Sequence, residues 1–163
     1  MSFLSLLGLG GNATLATAAA ADKNTGAAPV MAHTPVRMSD AEWKQRLAPA
    51  AYRVLRQEGT EPPGSSALNA EKRRGVFRCA GCELPLFASE AKYESGTGWP
   101  SFHTPLVGAL GTRTDFKMIL PRTEYHCARC DGHQGHVFDD GPRPSGKRYC
   151  NNGVALKFLP EAA

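Results

Sequence analysis

Gly75-Val-Phe-Arg-Cys-Ala-Gly-Cys-Glu-Leu-Pro-Leu-Phe-Ala88 is the stretch whose reading decides the fold. Two short β-type runs, Val76-Phe77 and Leu84 to Phe87, flank the turn Cys79-Ala-Gly-Cys82, and the helical apolar period is absent from Gly75 onward. Further runs of the same kind follow at Phe116 to Leu120, Glu124 to Cys127 and Val154 to Leu159, separated by Gly and Pro turns. The pattern predicts a mainly β, antiparallel domain.

Upstream of this stretch the period is helical. Ser39-Asp-Ala-Glu42 is a capping box, with Trp43 and Leu47 on one face of the short helix it starts. Pro49 breaks that helix or begins a second one, in which Tyr52, Val54 and Leu55 make the apolar stripe and Gly59 is the stop. Glu61-Pro-Pro-Gly-Ser-Ser66 reads as a loop. Small N-terminal helices therefore precede the β domain.

The chain has 163 residues, 42% hydrophobic and 21% charged, which suits one domain with a real core. A mean hydropathy of −0.33 excludes a bundle of membrane spans. The net charge of +4 excludes little, because nucleic-acid binders concentrate basic charge far more strongly. Met1 to Ala21 holds no ionised side chain: Phe3 to Leu9 is a short apolar run and Ala18 to Ala21 offers A-x-A cleavage options. Ser2-Phe3-Leu4 is the kind of sequence that follows a twin-arginine pair. The expectation is an export signal to the bacterial periplasm whose true start lies upstream of Met1; the alternative is an Ala-rich tail on a cytoplasmic protein. Residues 22–36 read as a linker and residues 37–163 as the folded domain.

Five cysteines cannot all pair within one chain. Cys79-Ala-Gly-Cys82 and Cys127-Ala-Arg-Cys130 are two C-x2-C knuckles, and two knuckles complete a tetrahedral sulfur set for which Zn²⁺ is the usual ion. Such a closed site is structural, tying the halves of the domain together. Two disulfides, or two redox pairs, are the rival readings. Export would favour disulfides, whereas a redox pair sits at a helix start in a βαβ setting that is not seen here.

Cys150 is left over, in Arg148-Tyr-Cys-Asn-Asn152. A lone Cys is commonly a small buried hydrophobe. If this segment is a strand, Arg148 and Asn152 share the Cys150 face, one to stabilise a thiolate and the other to hold a polar ligand. His133 and His136 supply imidazoles that move protons near neutral pH.

Across residues 37–160 the chain resembles the methionine-R-sulfoxide reductases, MsrB. The resemblance is carried by Arg78 to Cys82, Ser95-Gly-Thr-Gly-Trp-Pro-Ser-Phe102, Cys127 to Cys130, Gly132-His-Gln-Gly-His-Val-Phe-Asp-Asp-Gly-Pro142 and Arg148 to Asn152. It implies two antiparallel sheets, one structural Zn²⁺, and reduction of the R epimer of methionine sulfoxide in proteins. It also implies Cys150 as the nucleophile that becomes a sulfenic acid, and His136 and His133 as the groups that bind and protonate the sulfoxide oxygen. Asp140 would be an acid near the site, Arg148 would lower the Cys150 pKa, and Asn152 would be the site asparagine. Trp99 would pack on the substrate methyl group, and His103 would line the pocket. Each has a plainer reading: Trp99 as core, Gly96 and Gly98 as turn-formers, His133 stacked on a knuckle, Arg148 as a surface charge.

Three positions depart from the pattern. Thr97 stands where many members carry a resolving Cys, so an external thiol of the thioredoxin or glutaredoxin type, or a cysteine leaving the metal site, must resolve the sulfenic acid. Asn151 occupies a usually apolar position and is expected to face away from Arg148 with little effect. His103 stands where other residues are common. A monomer without membrane insertion or nucleic-acid binding is expected. The competing class is a metal-stabilised binding module; its only dense basic run, Lys72-Arg73-Arg74 with Arg78, lacks interleaved aromatics and reads as a solvated loop.

Overall fold

The computed structural model describes residues 33–162. The expected leader, residues 1–21, and residues 22–32 of the expected linker lie outside the described residues. Order begins no later than Val36, whose N–H donates to Arg129 O at 2.8 Å.

Helix α1 (Asp40–Arg46) opens on the expected capping box. Ser39 Oγ accepts from the Glu42 amide at 3.3 Å, and Glu42 Oε2 accepts from the Ser39 amide at 2.7 Å. Pro49 begins helix α2 (Pro49–Gln57) rather than breaking α1, its missing N–H costing nothing at the first helical position. Trp43, Leu47, Tyr52, Val54 and Leu55 are buried as one apolar seam. The stop comes one residue before Gly59: Glu58 takes the left-handed conformation (φ 53°), and the Gly59 amide closes on Arg53 O at 3.0 Å.

Nine strands follow: β1 (Gly75–Cys79), β2 (Pro85–Ala88), β3 (Lys92–Tyr93), β4 (Ser101–Phe102), β5 (Leu110–Asp115), β6 (Arg122–Cys127), β7 (His133–Phe138), β8 (Arg148–Asn151) and β9 (Leu156–Pro160). They form a three-stranded sheet, β2-β1-β9, and a six-stranded sheet, β3-β4-β8-β7-β6-β5. Every pairing is antiparallel.

Aromatic rings join the sheets. Phe87 of β2 stacks on Phe102 of β4 with centroids 4.1 Å apart, and Phe77 of β1 meets Phe102 edge-on at 4.9 Å. Tyr125 of β6 and Tyr149 of β8 pack at 5.3 Å beside them. Each such pair contributes roughly 0.5–1.5 kcal/mol beyond the area it buries.

One expected strand is absent. Phe116 to Leu120 is a bend between β5 and β6, with all five residues exposed. Asp115 Oδ1 accepts from the Lys117 amide at 2.9 Å, a local turn that competes with strand pairing, and Pro121 removes a further donor. At the C-terminal end, a 3-10 turn over Gly153–Ala155 replaces the first part of the expected Val154 to Leu159 strand.

Strands β7 and β8 approach so closely that only glycine fits at residue 135. A Cβ there would lie 1.9 Å from Cys150 O. Gly135→Ala should therefore destabilise the protein by about 3 kcal/mol or more, lowering Tm by roughly 10 °C. A Tm close to that of the wild type would contradict this strand contact.

Candidate active site and metal centre

The two knuckles share one backbone trace. Cys79 O accepts from the Glu83 amide at 2.8 Å, and Cys127 O accepts from the Asp131 amide at 2.9 Å. The residue after each second cysteine is left-handed, Glu83 at φ 64° and Asp131 at φ 58°. A non-glycine residue held there is strained, and the same strain appears twice at matched positions. The result brings four buried sulfurs within 4.8 Å of one another. Cys79 and Cys130 Sγ are 3.6 Å apart, Cys82 and Cys127 Sγ 3.5 Å. Sulfurs about 2.3 Å from a tetrahedral ion would stand roughly 3.8 Å apart, so the donor set fits one metal ion. All five cysteines are free thiols, so neither knuckle forms a disulfide.

The helices shield this cluster. Arg46 of α1 donates to Gly81 O at 3.0 Å and Arg56 of α2 to Cys130 O at 2.8 Å, while the Arg56 guanidinium lies 4.8 Å from the Trp43 ring centre. From the sheet side, Gln134 Nε2 donates to Cys79 Sγ at 3.4 Å.

Cys150 lies on β8, apart from these four. Its partners in register are His136 on β7 and Ser101 on β4. It lines a cavity of about 280 Å³ together with Thr97, Trp99, Arg122, His136, Phe138 and Arg148. The expected strand at Arg148 to Cys150 is present, with both residues lining this cavity. Phe138 lies 4.4 Å from the Arg148 guanidinium, and both Asp140 oxygens accept from Arg148, at 2.8 and 2.9 Å. Burial pushes the Cys150 thiol up, while Arg148 and the Thr97 hydroxyl pull it down without cancelling that effect. Arg148 thus acts in the expected direction, yet the resting thiol remains protonated at neutral pH.

His133 and His136 are three residues apart, which on a regular strand would place them on opposite faces. A β-bulge intervenes: Tyr125 pairs with Gly135 but His126 pairs with His133, leaving Gln134 as the extra residue. Both imidazoles then face the same way, 5.5 Å apart at their centroids. His136 lines the Cys150 cavity, and His133 lines the one adjoining it. His133 Nδ1 lies 2.8 Å from Glu124 Oε1, so this histidine is anchored in a buried pair rather than stacked on a knuckle. His136 Nε2 lies 2.8 Å from Asp115 Oδ2. Hydrogen bonds from the Lys117 amide, His136 and Arg122 hold the Asp115 carboxyl well below the usual carboxylate range. Burial pushes His136 down against the opposing pull of Asp115, leaving a neutral imidazole. Facing an ionised carboxylate, its Nε2 carries the proton and its Nδ1 is free to accept one.

Asn152 borders the cavity, and its amide is held from two sides. Its Oδ1 accepts from the Glu61 amide at 2.9 Å, and its Nδ2 donates to Gln134 O at 3.0 Å. These two bonds fix the orientation of the Asn152 amide at the cavity wall. His103 does not line the cavity; its Nδ1 lies 3.0 Å from Thr104 Oγ1. Trp99 is partly buried in the wall, and its Nε1 donates to Glu61 O at 3.1 Å. Asn151 faces away from Arg148 as expected, but it is fully buried: Tyr125 Oη donates to its Oδ1 at 2.8 Å and its Nδ2 donates to Gln134 Oε1 at 3.2 Å.

Sequence reasoning missed Asp115, Arg122 and Glu61. Glu61 is 5% exposed, and its carboxylate accepts from the Gly153 and Val154 amides at 2.6 and 2.9 Å. A loop glutamate ahead of two prolines gave no sign of this. Asp115, at the edge of a polar stretch, gave none either.

Fold and site together define a mainly β protein in which four buried cysteines could hold one metal ion while a fifth, on another strand, lies opposite a histidine. The SelR domain model matches residues 47–160, and the chain belongs to this family of MsrB proteins. A protein of Leptospira interrogans named peptide methionine sulfoxide reductase MsrB is 49% identical over 127 residues, covering 77% of this chain and 97% of that protein. Proteins of the same name from Methanosarcina barkeri and Pseudomonas entomophila are 48% and 51% identical, covering 80% and 73% of this chain and 93% and 92% of their own lengths. Among solved structures, the Mis18 'Yippee-like' domain aligns with a TM-score of 0.44 at 16% identity, covering 56% of this chain and all of that one.

The environment of Cys150 makes a prediction about its ionisation. Alkylation by iodoacetamide follows the thiolate fraction, so its midpoint should lie above that of an ordinary thiol. Arg148→Gln removes a charge that favours the thiolate and should move the midpoint to still higher pH, slowing alkylation at pH 8. A midpoint that falls in the variant would contradict the assignment.

Proposed function

We propose that this protein reduces the R epimer of methionine sulfoxide in proteins, through a sulfenic acid on Cys150. The observation that carries the reading is Cys150 opposite His136, in a cavity that Trp99 helps to wall. At rest the thiol is protonated and the imidazole neutral. Nδ1 of His136 takes the Cys150 proton as the sulfur attacks the substrate sulfur, and Asp115 stabilises the imidazolium that forms. Oxide is a poor leaving group, so His136 then delivers that proton to the sulfoxide oxygen. The protonated oxygen passes as hydroxyl to the Cys150 sulfur: the substrate S–O bond and the S–S bond formed in the attack both break, and an S–O bond to Cys150 forms. The substrate sulfur gains two electrons, Cys150 loses two, and the products are methionine and Cys150–SOH. The flat face of Trp99 suits the substrate methyl group, and Arg148, paired with Asp140, favours the thiolate. His133, 5.5 Å from His136 between ring centroids, is the second imidazole on the side of the sulfoxide oxygen.

Two external thiols complete the cycle. The first displaces water from the sulfenic acid to form a mixed disulfide; the second releases Cys150 and leaves the donor as a disulfide. A donor of the thioredoxin or glutaredoxin type fits, since Thr97 offers a hydroxyl where a resolving thiol would stand. The four remaining cysteines hold one structural Zn²⁺, whose closed thiolate shell supplies stability and no catalytic position. The protein works as a monomer, and its uncharged leader directs export to the periplasm.

The deciding assay presents separated R and S epimers with different thiol donors. The R epimer alone should turn over, and Cys150→Ser should abolish activity while the protein stays folded and metal-loaded. After one turnover without reductant, mass spectrometry should find the oxidation on Cys150; an intramolecular disulfide to Cys79, Cys82, Cys127 or Cys130 would refute external resolution. A separate measurement addresses the metal. Elemental analysis should give one zinc per chain, and a strong chelator should lower Tm in both wild type and Cys150→Ser. Full stability without metal would remove the clamp from the account.

A further inference from the structure

The turn between β5 and β6 exposes an apolar run that the catalytic reading leaves unused. Phe116 is 74% exposed, Met118 60%, Ile119 102% and Leu120 75%. Side chains of this size in contiguous exposure mark contact surfaces, whereas single exposed apolar residues do not. Their position is tied to the site. Asp115, at the start of the turn, is the residue bonded to His136 Nε2, and Arg122, at its end, lines the Cys150 cavity. Phe116 and Lys117 line a second cavity, of about 400 Å³, which shares Thr60, Arg122 and His136 with the first. The apolar turn is therefore continuous with the place where a substrate sulfur would enter.

We propose that Phe116 to Leu120 is a docking surface for the substrate polypeptide, selecting methionine sulfoxide within apolar, non-native segments. The inference rests on the function proposed above and deepens it. Methionine is among the residues most often buried, and its neighbours in a core are apolar. Oxidation makes the side chain polar and disrupts such a core, so the segment that becomes accessible carries apolar flanks. A surface of exposed aliphatic and aromatic side chains beside the cavity matches those flanks, whereas free methionine sulfoxide has nothing to place on it. The asymmetry predicts which kinetic constant carries the effect: flanking residues contribute through KM, and chemistry at Cys150 is untouched.

The experiment uses the full chain and the double variant Ile119→Ser/Leu120→Ser, neither residue lining either cavity. Three substrates are compared: N-acetyl-methionine-R-sulfoxide, a peptide with Leu and Phe around the R-sulfoxide, and the same peptide with Ser and Asn there. Wild type should prefer the apolar peptide. The variant should lose about tenfold in kcat/KM on it, through KM, as expected for losing the burial of about one aliphatic side chain. Turnover of the N-acetyl substrate should be unchanged. Equal rates on both peptides, or a variant that matches wild type, would overturn the proposal while leaving the reductase assignment intact. Failure of wild type on all three substrates removes the assignment and the docking surface with it. Two further measurements identify other occupants. Loss of binding to phosphatidylglycerol vesicles in the variant, with unchanged peptide kinetics, would assign the turn to a lipid surface. A dimer in sedimentation that the variant disperses, again with unchanged kinetics, would assign it to a second copy of the chain.

Discussion

Cys79 ends β1 in one sheet and Cys127 ends β6 in the other, so an ion held by both knuckles ties together two sheets that share no hydrogen-bonded strand. The aromatic stack between the sheets supplies attraction, but stacked rings can slide. Four sulfurs converging on one point cannot. The helices add to the clamp from outside, since Arg46 and Arg56 bond knuckle carbonyls while Trp43 and Leu55 pack beside Gly81 and Gly132. A metal ion held there would fix the relative position of β6 and its neighbours, among them β7 and β8 with His136 and Cys150.

From the four-cysteine cluster to the neighbour of Cys150 runs a buried polar chain. Gln134 donates to Cys79 Sγ, Asn151 donates to Gln134 Oε1, and Tyr125 donates to Asn151 Oδ1. Buried amides are costly unless satisfied, and here both are satisfied by one another and by a sulfur. Asn151 is the direct chain neighbour of Cys150, and Gln134 is the bulge residue that turns His133 to the face of His136. The same two amides thus set the bulge and the strand that bears the thiol. Asn151, anomalous against the family pattern, is explained by its partners: an apolar residue there would leave Gln134 Oε1 and Tyr125 Oη without them.

Much of this was legible in the sequence, and the remainder fails for physical reasons. The knuckles, the capping box and the helix at Pro49 are local signals, decided by residues within a few positions of one another. The strands with apolar runs were legible as well. Strand β5, Leu110-Gly-Thr-Arg-Thr-Asp115, was not, because it closes the edge of its sheet and faces solvent, so its composition carries no burial signal. The error at Phe116 to Leu120 is the converse: apolar residues read as strand although nothing buries them. At the site, Cys150, His136, Arg148 and Trp99 came from motif positions and do share one cavity. Asp115 and Glu61 act across long chain separations through ordinary carboxylates, and no spacing rule connects Glu61 to Trp99 and Gly153.

Thr97 gives the arrangement its remaining constraint. It lines the Cys150 cavity, and its hydroxyl lies 2.8 Å from Ser95 Oγ, which in turn lies 2.7 Å from Ser101 Oγ. Ser101 faces Cys150 in register. Of these three hydroxyls only Thr97 lines the cavity, at the position where a thiol would have to stand to close a disulfide, and Ser95 and the buried Ser101 back it. Hydroxyls can hydrogen-bond a thiolate or a sulfenic acid, but they cannot exchange with it. The four other sulfurs are buried together, away from the Cys150 cavity. The four clustered sulfurs and Cys150 account for all five cysteines of the chain, so on the proposed mechanism no sixth thiol stands ready to resolve a sulfenic acid from within.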